Sequence, residues 1–188
     1  MMVSLDGFIE DLDKNIDWHV WDDEMSEYMV RFFNRVDTLL LGRVTYQMMA
    51  DFWPTPIADN EDPIIAERMN HIPKIVFSKT LDDASWGEWD NVRLMKNDIR
   101  EEMTAIKHQP GKDLVLFGGA DLAASFFHEG LIDELQMIVN PVILRSGTPL
   151  FQEIKAPLKL DLTESVTMGC GNVILNYRLS RIAGNEIR

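Results

Sequence analysis

The alternation of short apolar runs with helix-patterned segments constrains the fold of this sequence more than any other feature. The runs have the length of buried strands, and apolar residues spaced three and four apart mark helices between most of them. The runs that predict strands up to residue 130 are MMVSLDGFI at 1–9, which resembles the end of a strand, TLLLG at 38–42, KIVFS at 74–78, VRLM at 92–95 and DLVLFGG at 113–119. Strands that alternate with helices form parallel sheets. The sequence therefore predicts an α/β domain with a mostly parallel central sheet and flanking helices.

Amphipathic spacing predicts the helices between these strands. The predicted helices cover 22–36, 43–53, 63–72, 98–109 and 120–130. Pro54 and Pro56 are expected to end the second helix, because proline lacks the N–H that a helix interior requires. Asp98 is expected to cap the start of the fourth helix, and Gly130 the end of the fifth.

Past residue 130 the pattern changes from alternation to consecutive strands. Residues 133–144 (DELQMIVNPVIL) predict a long strand in which Pro141 marks an edge, a bulge or a bend. Residues 158–180 predict two alternating strands joined by a glycine-containing turn, which is an antiparallel C-terminal hairpin. A length of 188 residues suits one domain, predicted to span 1–188.

Charge and cysteine content limit which binding partners and which cellular compartment we expect for this protein. The net charge of -13 disfavours nucleic acid and anionic membranes, since both select for basic patches. Cys170 is the one cysteine, the four histidines show no metal-ligand spacing, and no long apolar run is present. We therefore expect a cytoplasmic protein with no disulfide and no metal site, acting on a small molecule.

Three strands end in residues that suit a phosphate-bearing ligand. The motifs are Gly42-Arg43-Val44-Thr45, Ser78-Lys79-Thr80 and Gly118-Gly119-Ala120. Glycine lets backbone approach a ligand closely, and the first N–H groups of a helix have no partner within the helix. Taken singly, each motif is better explained by a tight turn, by chance, or by Arg43 pairing with an acidic side chain. Taken together at one sheet edge, they favour a dinucleotide or another polyphosphate, although neither the G-x-G-x-x-G nor the Walker A pattern is present.

The ordered motifs of the chain resemble the dihydrofolate reductase-like superfamily. More narrowly, they resemble small single-domain relatives of the reductase domain of the bifunctional riboflavin-biosynthesis deaminase-reductase. The residues that carry the resemblance are SLDGFI at 4–9, LLLGRVTY at 39–46, KIVFSKTL at 74–81 and the segment 114–151, LVLFGG through TPLF. The resemblance implies a three-layer fold, an NADPH site built from the three motifs, and a homodimer.

Cofactor residues follow from the resemblance by position. Gly42, Arg43 and Thr45 would face the pyrophosphate and the adenosine 2'-phosphate, and Ser78, Lys79 and Thr80 the adenine-ribose side. The start of the last predicted helix would cradle the pyrophosphate with Gly118, Gly119, Ala120, Asp121 and Leu122. Ser4, Asp6 and Ile9 would lie beside the nicotinamide and the substrate. Asp6 could equally cap a turn before Gly7.

The resemblance also implies a carboxylate that acts on the substrate. Asp23 follows Trp18 at the separation found in dihydrofolate reductases, with Asp22, Glu24 and Glu27 as rivals. A buried carboxylate there could have a raised pKa and assist protonation, or Asp23 could simply serve a helix N-terminus. Trp18 and Trp21 could stack on a planar heterocycle, or pack under a loop.

Two classes of function remain open at this point. The first is an NADPH-dependent reductase that transfers hydride to a small heterocycle, related to 5-amino-6-(5-phosphoribosylamino)uracil reductase and dihydrofolate reductase. The second is a non-catalytic nucleotide-binding module with the reductase fold.

Overall fold

A computed structural model gives the fold of residues 1–180, which form two compact units. Trp21–Glu129 form the first, called the parallel unit below because all of its paired strands run parallel. The second unit, called the mixed unit, consists of Met1–Val20 and residues 130–180. The single domain over 1–188 stays a prediction, and its residues 181–188 lie outside the described part of the chain.

The order of elements follows the alternation that the sequence predicts. The strands are β1 (Met2–Val3), β2 (Phe8–Glu10), β3 (Val36–Gly42), β4 (Lys74–Phe77), β5 (Val92–Met95), β6 (Asp113–Leu116), β7 (Glu134–Val139), β8 (Thr148–Pro149), β9 (Leu160–Thr167) and β10 (Val173–Leu179). The helices are α1 (Asp23–Phe33), α2 (Arg43–Phe52), α3 (Pro56–Glu61), α4 (Pro63–His71), α5 (Ile99–Lys107) and α6 (Ala120–His128).

The parallel unit is built on a four-stranded sheet with the order β5-β4-β3-β6. β4 is buried at every position, so both of its faces are covered, as expected for a central strand of a parallel sheet. Leu39 and Leu41 of β3 and Val76 of β4 are completely buried and form the centre of this core.

Aspartates cap three helices of the parallel unit. Asp22 accepts a hydrogen bond from the N–H of Met25, and Asp62 accepts one from Ile65. Asp98 accepts from the first turn of α5, which confirms the predicted cap. Gly130 follows α6 with a φ of 65°, the left-handed conformation expected of a glycine after a helix end.

α3 is a helix that the sequence reading missed. The sequence predicts that Pro54 and Pro56 end the second helix, and α2 does end at Phe52. Pro56, however, is the first residue of α3, where its missing N–H costs nothing because that position has no intrahelical acceptor.

The mixed unit contains a sheet with the order β1-β7-β10-β9 and a separate pair, β2-β8. β1 pairs with β7 in parallel, and β7-β10 and β10-β9 are antiparallel. β9 and β10 confirm the predicted hairpin. β7 is shorter than predicted, because the chain bends at Pro141, where Val142 donates its N–H to the carbonyl of Asn140.

A parallel sheet, flanking helices and an antiparallel C-terminal hairpin together confirm the predicted fold class. Within residues 1–180, no helix is long and apolar enough to cross a membrane.

Candidate functional site

The three motifs lie at one edge of the parallel sheet. β3 is hydrogen-bonded to β4 on one side and to β6 on the other, with Gly42 level with Phe77 and Leu40 level with Leu116. The carboxyl ends of these strands therefore meet, and each continues directly into one motif. Ligands of open α/β sheets bind at this edge.

The Gly118-Gly119 pair joins β6 to α6 in a conformation that requires glycine. Their φ values are 74° and 84°. A Cβ on Gly118 would lie 3.0 Å from the hydroxyl oxygen of Thr45, so the pair packs directly against the first turn of α2. A side chain at either position would strain the backbone, and at Gly118 it would also crowd Thr45.

α2 and α6 begin without a side-chain cap. Their N-cap residues are Gly42 and Gly119, neither of which has a side chain to bond the free N–H groups. A Cβ on Gly42 would lie 3.6 Å from Leu122 of α6, so the two helix starts are neighbours. α1, α4 and α5 begin with aspartate caps instead. Two adjacent helix starts with free N–H groups are chemically suited to an anion such as a phosphate.

Two cations at this edge have no acidic partner in the described chain. Arg43 is exposed and contacts the neutral side-chain oxygen of Gln47 at 3.1 Å. Lys79 is exposed and forms no ion pair within residues 1–180. The alternative that Arg43 is occupied by an acidic side chain therefore does not hold for the part of the chain described.

Ser78 uses its hydroxyl to shape its own turn. The side chain is nearly buried, and its oxygen accepts hydrogen bonds from the N–H groups of Thr80 at 3.2 Å and Leu81 at 3.1 Å. Lys79 and Thr80 are exposed on this turn. Ser78 therefore holds Lys79 and Thr80 in place at the sheet edge.

The first turn of α6 mixes favourable and unfavourable features for an anion. Ala120 is buried and Leu122 is half-buried. Asp121 is exposed, and its carboxylate would repel a phosphate that came close. Its backbone carbonyl accepts from the hydroxyl of Ser125 at 2.9 Å.

Ser4 and Asp6 form a hydrogen-bonded turn in the mixed unit. The buried hydroxyl of Ser4 donates to Asp6 at 2.7 Å and accepts from the N–H of Phe8 at 2.9 Å. Asp6 also accepts from the N–H groups of Leu144 at 3.1 Å and Arg145 at 2.8 Å. These contacts agree with the alternative that Asp6 caps a turn, and its role towards a substrate stays a prediction.

The pKa of Asp6 reflects the same contacts. Partial desolvation acts to raise the pKa, but hydrogen bonds from Ser4, Arg145 and Leu144 outweigh it and hold the pKa below the ordinary value. Asp6 therefore carries its negative charge over the neutral range. Ile9, the third residue predicted for this side, is half-buried in β2.

Asp23 is exposed in the first turn of α1, and Asp22 is the residue that caps this helix. The position is therefore open to solvent and lacks the apolar surroundings expected around a catalytic carboxylate. Trp21 is 43% exposed, and its indole N–H donates to Ser26 at 2.8 Å. Trp18 is half-buried, and its ring meets His19 edge to face at 4.4 Å.

The sequence reading missed a buried lysine in the parallel unit. Lys74 is 1% exposed at the start of β4, the edge of the strand opposite the three motifs. Its ammonium donates to the carbonyl of Asn70 at 2.8 Å and lies 4.4 Å from the ring centroid of the buried Trp86. Burial lowers the pKa of Lys74 to about 7. The signal in the sequence is the lysine that opens the apolar run KIVF.

A known family and a curated relative match almost the whole chain. The sequence profile described as the RibD C-terminal domain matches residues 1–174. The uncharacterized protein YyaP of Bacillus subtilis (strain 168) is 36% identical over 182 residues, covering 94% of this chain and 91% of that protein.

Solved structures agree with this match. A protein from Shewanella sp. PV-4 with a provisional riboflavin-biosynthesis designation superposes with a TM-score of 0.78 at 26% identity, covering 96% of this chain and 97% of that one. Dihydrofolate reductase from Enterococcus faecalis, complexed with NADP(H), gives a TM-score of 0.60 at 18% identity, covering 95% and 93%. The fold is therefore dihydrofolate reductase-like.

Proposed function

The chain belongs to the RibD C-terminal domain family, as its motifs predicted, and we propose that it is an NADPH-dependent reductase of a small heterocycle. The reaction would transfer hydride to a C=N or C=O bond. The bound cofactor would supply the hydride, and the protein would supply binding, orientation and a pocket from which water is excluded.

The observation that carries this proposal is the open edge of the parallel sheet. Two neighbouring helix starts present free N–H groups, and two exposed cations near them lack acidic partners in the described chain. A strongly acidic protein that leaves such a group of donors and cations unpaired is suited to binding an anion there. A dinucleotide phosphate has the charge and the oxygen acceptors that this edge lacks.

Each motif takes one part of the cofactor in this proposal. The N–H groups at Gly119 and Ala120 bind the pyrophosphate, and the close packing of Gly118 on Thr45 sets how near the phosphate can come. Arg43 and Lys79 bind the adenosine 2'-phosphate, where an arginine can form two parallel hydrogen bonds.

Ser4 and Ile9 are proposed to lie beside the nicotinamide of the cofactor. Asp6, Trp18 and Trp21 are proposed to contact the substrate. An indole face provides a large flat apolar surface on which a heterocycle can stack. Asp23 is proposed as the proton donor in the active complex, where a bound ligand would reduce its exposure to solvent.

A second candidate function is a nucleotide-binding module without turnover. The exposure of Asp23 favours it, because no buried carboxylate stands at the position expected for the acid. Both candidates require dinucleotide binding. They differ in whether the protein oxidises NADPH when it is given pterins, pyrimidine precursors or small carbonyl compounds.

We also propose that the protein is a homodimer. β9 is the outer strand of its sheet, is exposed along most of its length, and displays Leu162 at 55% exposure. Exposed edge strands pair readily with a second chain. Light scattering of the purified protein should give the mass of two chains, and a monomer at every concentration would contradict this proposal.

The test of the cofactor assignment is titration with NADPH and with NADH, followed by tryptophan fluorescence. Arg43→Ala with Lys79→Ala should weaken NADPH binding by about 10- to 100-fold and NADH binding far less, because NADH lacks the 2'-phosphate. Arg68→Ala, which removes an exposed arginine on α4, is the matched control. Equal losses for both cofactors would refute the phosphate-reading role, and no binding by folded wild-type protein would refute the proposed function.

A further inference from the structure

Trp18, His19 and Val20 lie between β2 and α1, in a stretch without helix or strand. The first bonds of this stretch are local. The N–H of His19 donates to the carbonyl of Ile16 at 3.0 Å, and the indole N–H of Trp18 donates to the carbonyl of Asn15 at 3.1 Å. Local turns of this kind do not by themselves hold the stretch against a sheet.

Val20 provides the connection to the sheet, and both bonds come from asparagine side chains. The N–H of Val20 donates to the side-chain oxygen of Asn140 at 2.8 Å. The carbonyl of Val20 accepts from the side-chain nitrogen of Asn172 at 2.8 Å. Two side-chain amides thus take the places that backbone groups of a neighbouring strand would fill. We call Asn140 and Asn172 the asparagine clamp.

Both members of the asparagine clamp are completely buried and anchored in the mixed unit. The side-chain nitrogen of Asn140 lies 3.3 Å from the carbonyls of Val3 and Ile138, and its backbone N–H donates to Val3 at 2.8 Å. Asn172 lies just before β10, and its carbonyl accepts from the N–H of Met168 at 2.9 Å. The end of β7 and the β9–β10 turn therefore hold Val20 from two parts of one sheet.

Filling space does not explain two buried amides. A leucine would occupy similar volume without the cost of removing an amide from water, so burial favours apolar residues unless the amide groups are used. The amide groups of the asparagine clamp that face Val20 satisfy both of its backbone groups. Their specific effect is to fix the backbone at the end of the Trp18–Val20 segment.

We infer that Asn140 and Asn172 are positioning residues that fix the Trp18–Val20 segment and thereby hold Trp18 for the substrate. The part that concerns the substrate rests on the proposed function. The fixed segment is a property of the free protein and can be measured without any ligand.

Hydrogen exchange of the unliganded protein, followed by NMR, tests the asparagine clamp first. The amide of Val20 should exchange at least about tenfold more slowly than the exposed amide of Leu12 in the same irregular stretch. Equal exchange rates at these two residues would overturn the inference, with no variant needed.

Three variants then test what the clamp holds. Asn140→Ala and Asn172→Ala should speed the exchange of Val20 and increase acrylamide quenching of Trp18, measured as the difference from the same proteins with Trp18→Phe. Asn176→Ala is the matched control, because its side chain also makes two hydrogen bonds on β10, to Gln136 and Glu164. Clamp variants that behave like the control would overturn the inference.

An isosteric variant tests the bond from Asn172 to Val20 without removing side-chain volume. The side-chain oxygen of Asn172 is buried and has no hydrogen-bond partner within residues 1–180. Asn172→Asp keeps the shape and exchanges only the nitrogen that donates to Val20. At a pH where this aspartate is ionised, it should speed the exchange of Val20, and unchanged exchange there would overturn the inference.

NADPH titration of the same samples separates this inference from the proposed function. A protected Val20 in a wild-type protein that binds no NADPH would support the asparagine clamp and refute the role of Trp18 towards a substrate. An unprotected Val20 in a protein that does bind NADPH would overturn the clamp and leave the proposed function standing.

Discussion

The parallel unit and the mixed unit use their polar groups in opposite ways. At the carboxyl edge of the parallel sheet, two helix starts lack caps, and Arg43 and Lys79 have no acidic partner in the described chain. In the mixed unit, Asp6 accepts three hydrogen bonds, and Asn140 and Asn172 bind the backbone of a neighbouring segment. Free donors suit an external anion, whereas polar groups that bind one another hold a shape. We therefore expect the parallel unit to recognise the charge of a ligand and the mixed unit to fix the geometry of the site.

The largest expected effect is a difference between Gly119, at the start of α6, and Gly130, after its end. Gly119 and Gly130 both have positive φ, 84° and 65°, but only Gly119 lies at the open edge. Gly119→Ala should weaken NADPH binding by about 100-fold, because a methyl group would stand where a phosphate oxygen approaches. Gly130→Ala introduces a similar strain where nothing lies within 4 Å, and should leave the affinity unchanged.

If both alanine variants lose the same stability and neither loses NADPH affinity, Gly119 has no role in binding that Gly130 lacks. Fluorescence titration measures the NADPH affinity of each variant, and thermal unfolding measures its stability. Strain at each site is expected to cost about 1–3 kcal/mol of unfolding free energy.

The second prediction concerns a polar group that the parallel unit buries at its other edge. The pKa of Lys74 is about 7 in the folded protein and has an ordinary value of 10.5. Between these values the unfolded chain holds the proton and the folded chain does not, so stability should rise with pH by about 1.4 kcal/mol per unit. Below pH 7 both states are protonated, and the full cost of burying the charge remains.

Lys74→Met should remove this rise and should be neutral or stabilising at pH 7, because an apolar chain of similar length needs no charge buried. Asn70 keeps a partner for its carbonyl, since Asn91 also donates to it at 2.8 Å. Urea unfolding from pH 7 to 10 measures the slope, with the exposed Lys159→Met as control. A wild-type slope equal to that of Lys74→Met would contradict the lowered pKa.

The smallest expected effect lies in the mixed unit. The lowered pKa of Asp6 means that its contribution to stability is present above its unfolded pKa of 3.8 and is lost as pH falls through the folded value. Asp6→Asn should therefore lower stability slightly at neutral pH and reduce the loss of stability in acid. Thermal unfolding between pH 2 and 7 checks this, with the exposed Asp17→Asn as control. If stability depends on pH in the same way in both variants, the hydrogen bonds of Asp6 do not stabilise the protein.

Local patterns predicted most strands and most helices because their signals are contained in a few adjacent residues. Asp98 caps α5, Gly130 ends α6, and the three strand-end motifs meet at one edge, all as the sequence indicated. Chain direction and sheet order bring the motifs together, and both follow from the alternation of strands and helices. The roles of these residues towards NADPH stay predictions.

Long-range contacts account for what the sequence reading missed. Asn140 and Asn172 bond Val20 from 120 and 152 residues away, and no local pattern reports such a pairing. Lys74 reads as a charge at the edge of a strand until the fold covers it with Trp86. Asp23 shows the converse, because its distance from Trp18 in the sequence matched a catalytic pattern while the structure leaves it exposed.

The pairing of β1 with β7 has a consequence for how the protein is made. Met2 pairs with Ile138, so the ribosome releases the first strand long before its partner. At ordinary rates of synthesis the first strand waits on the order of ten seconds or more. The parallel unit is one continuous segment and can complete its sheet during that time. We therefore expect newly made chains to pass through a stage in which the parallel unit is folded and the mixed unit is still open.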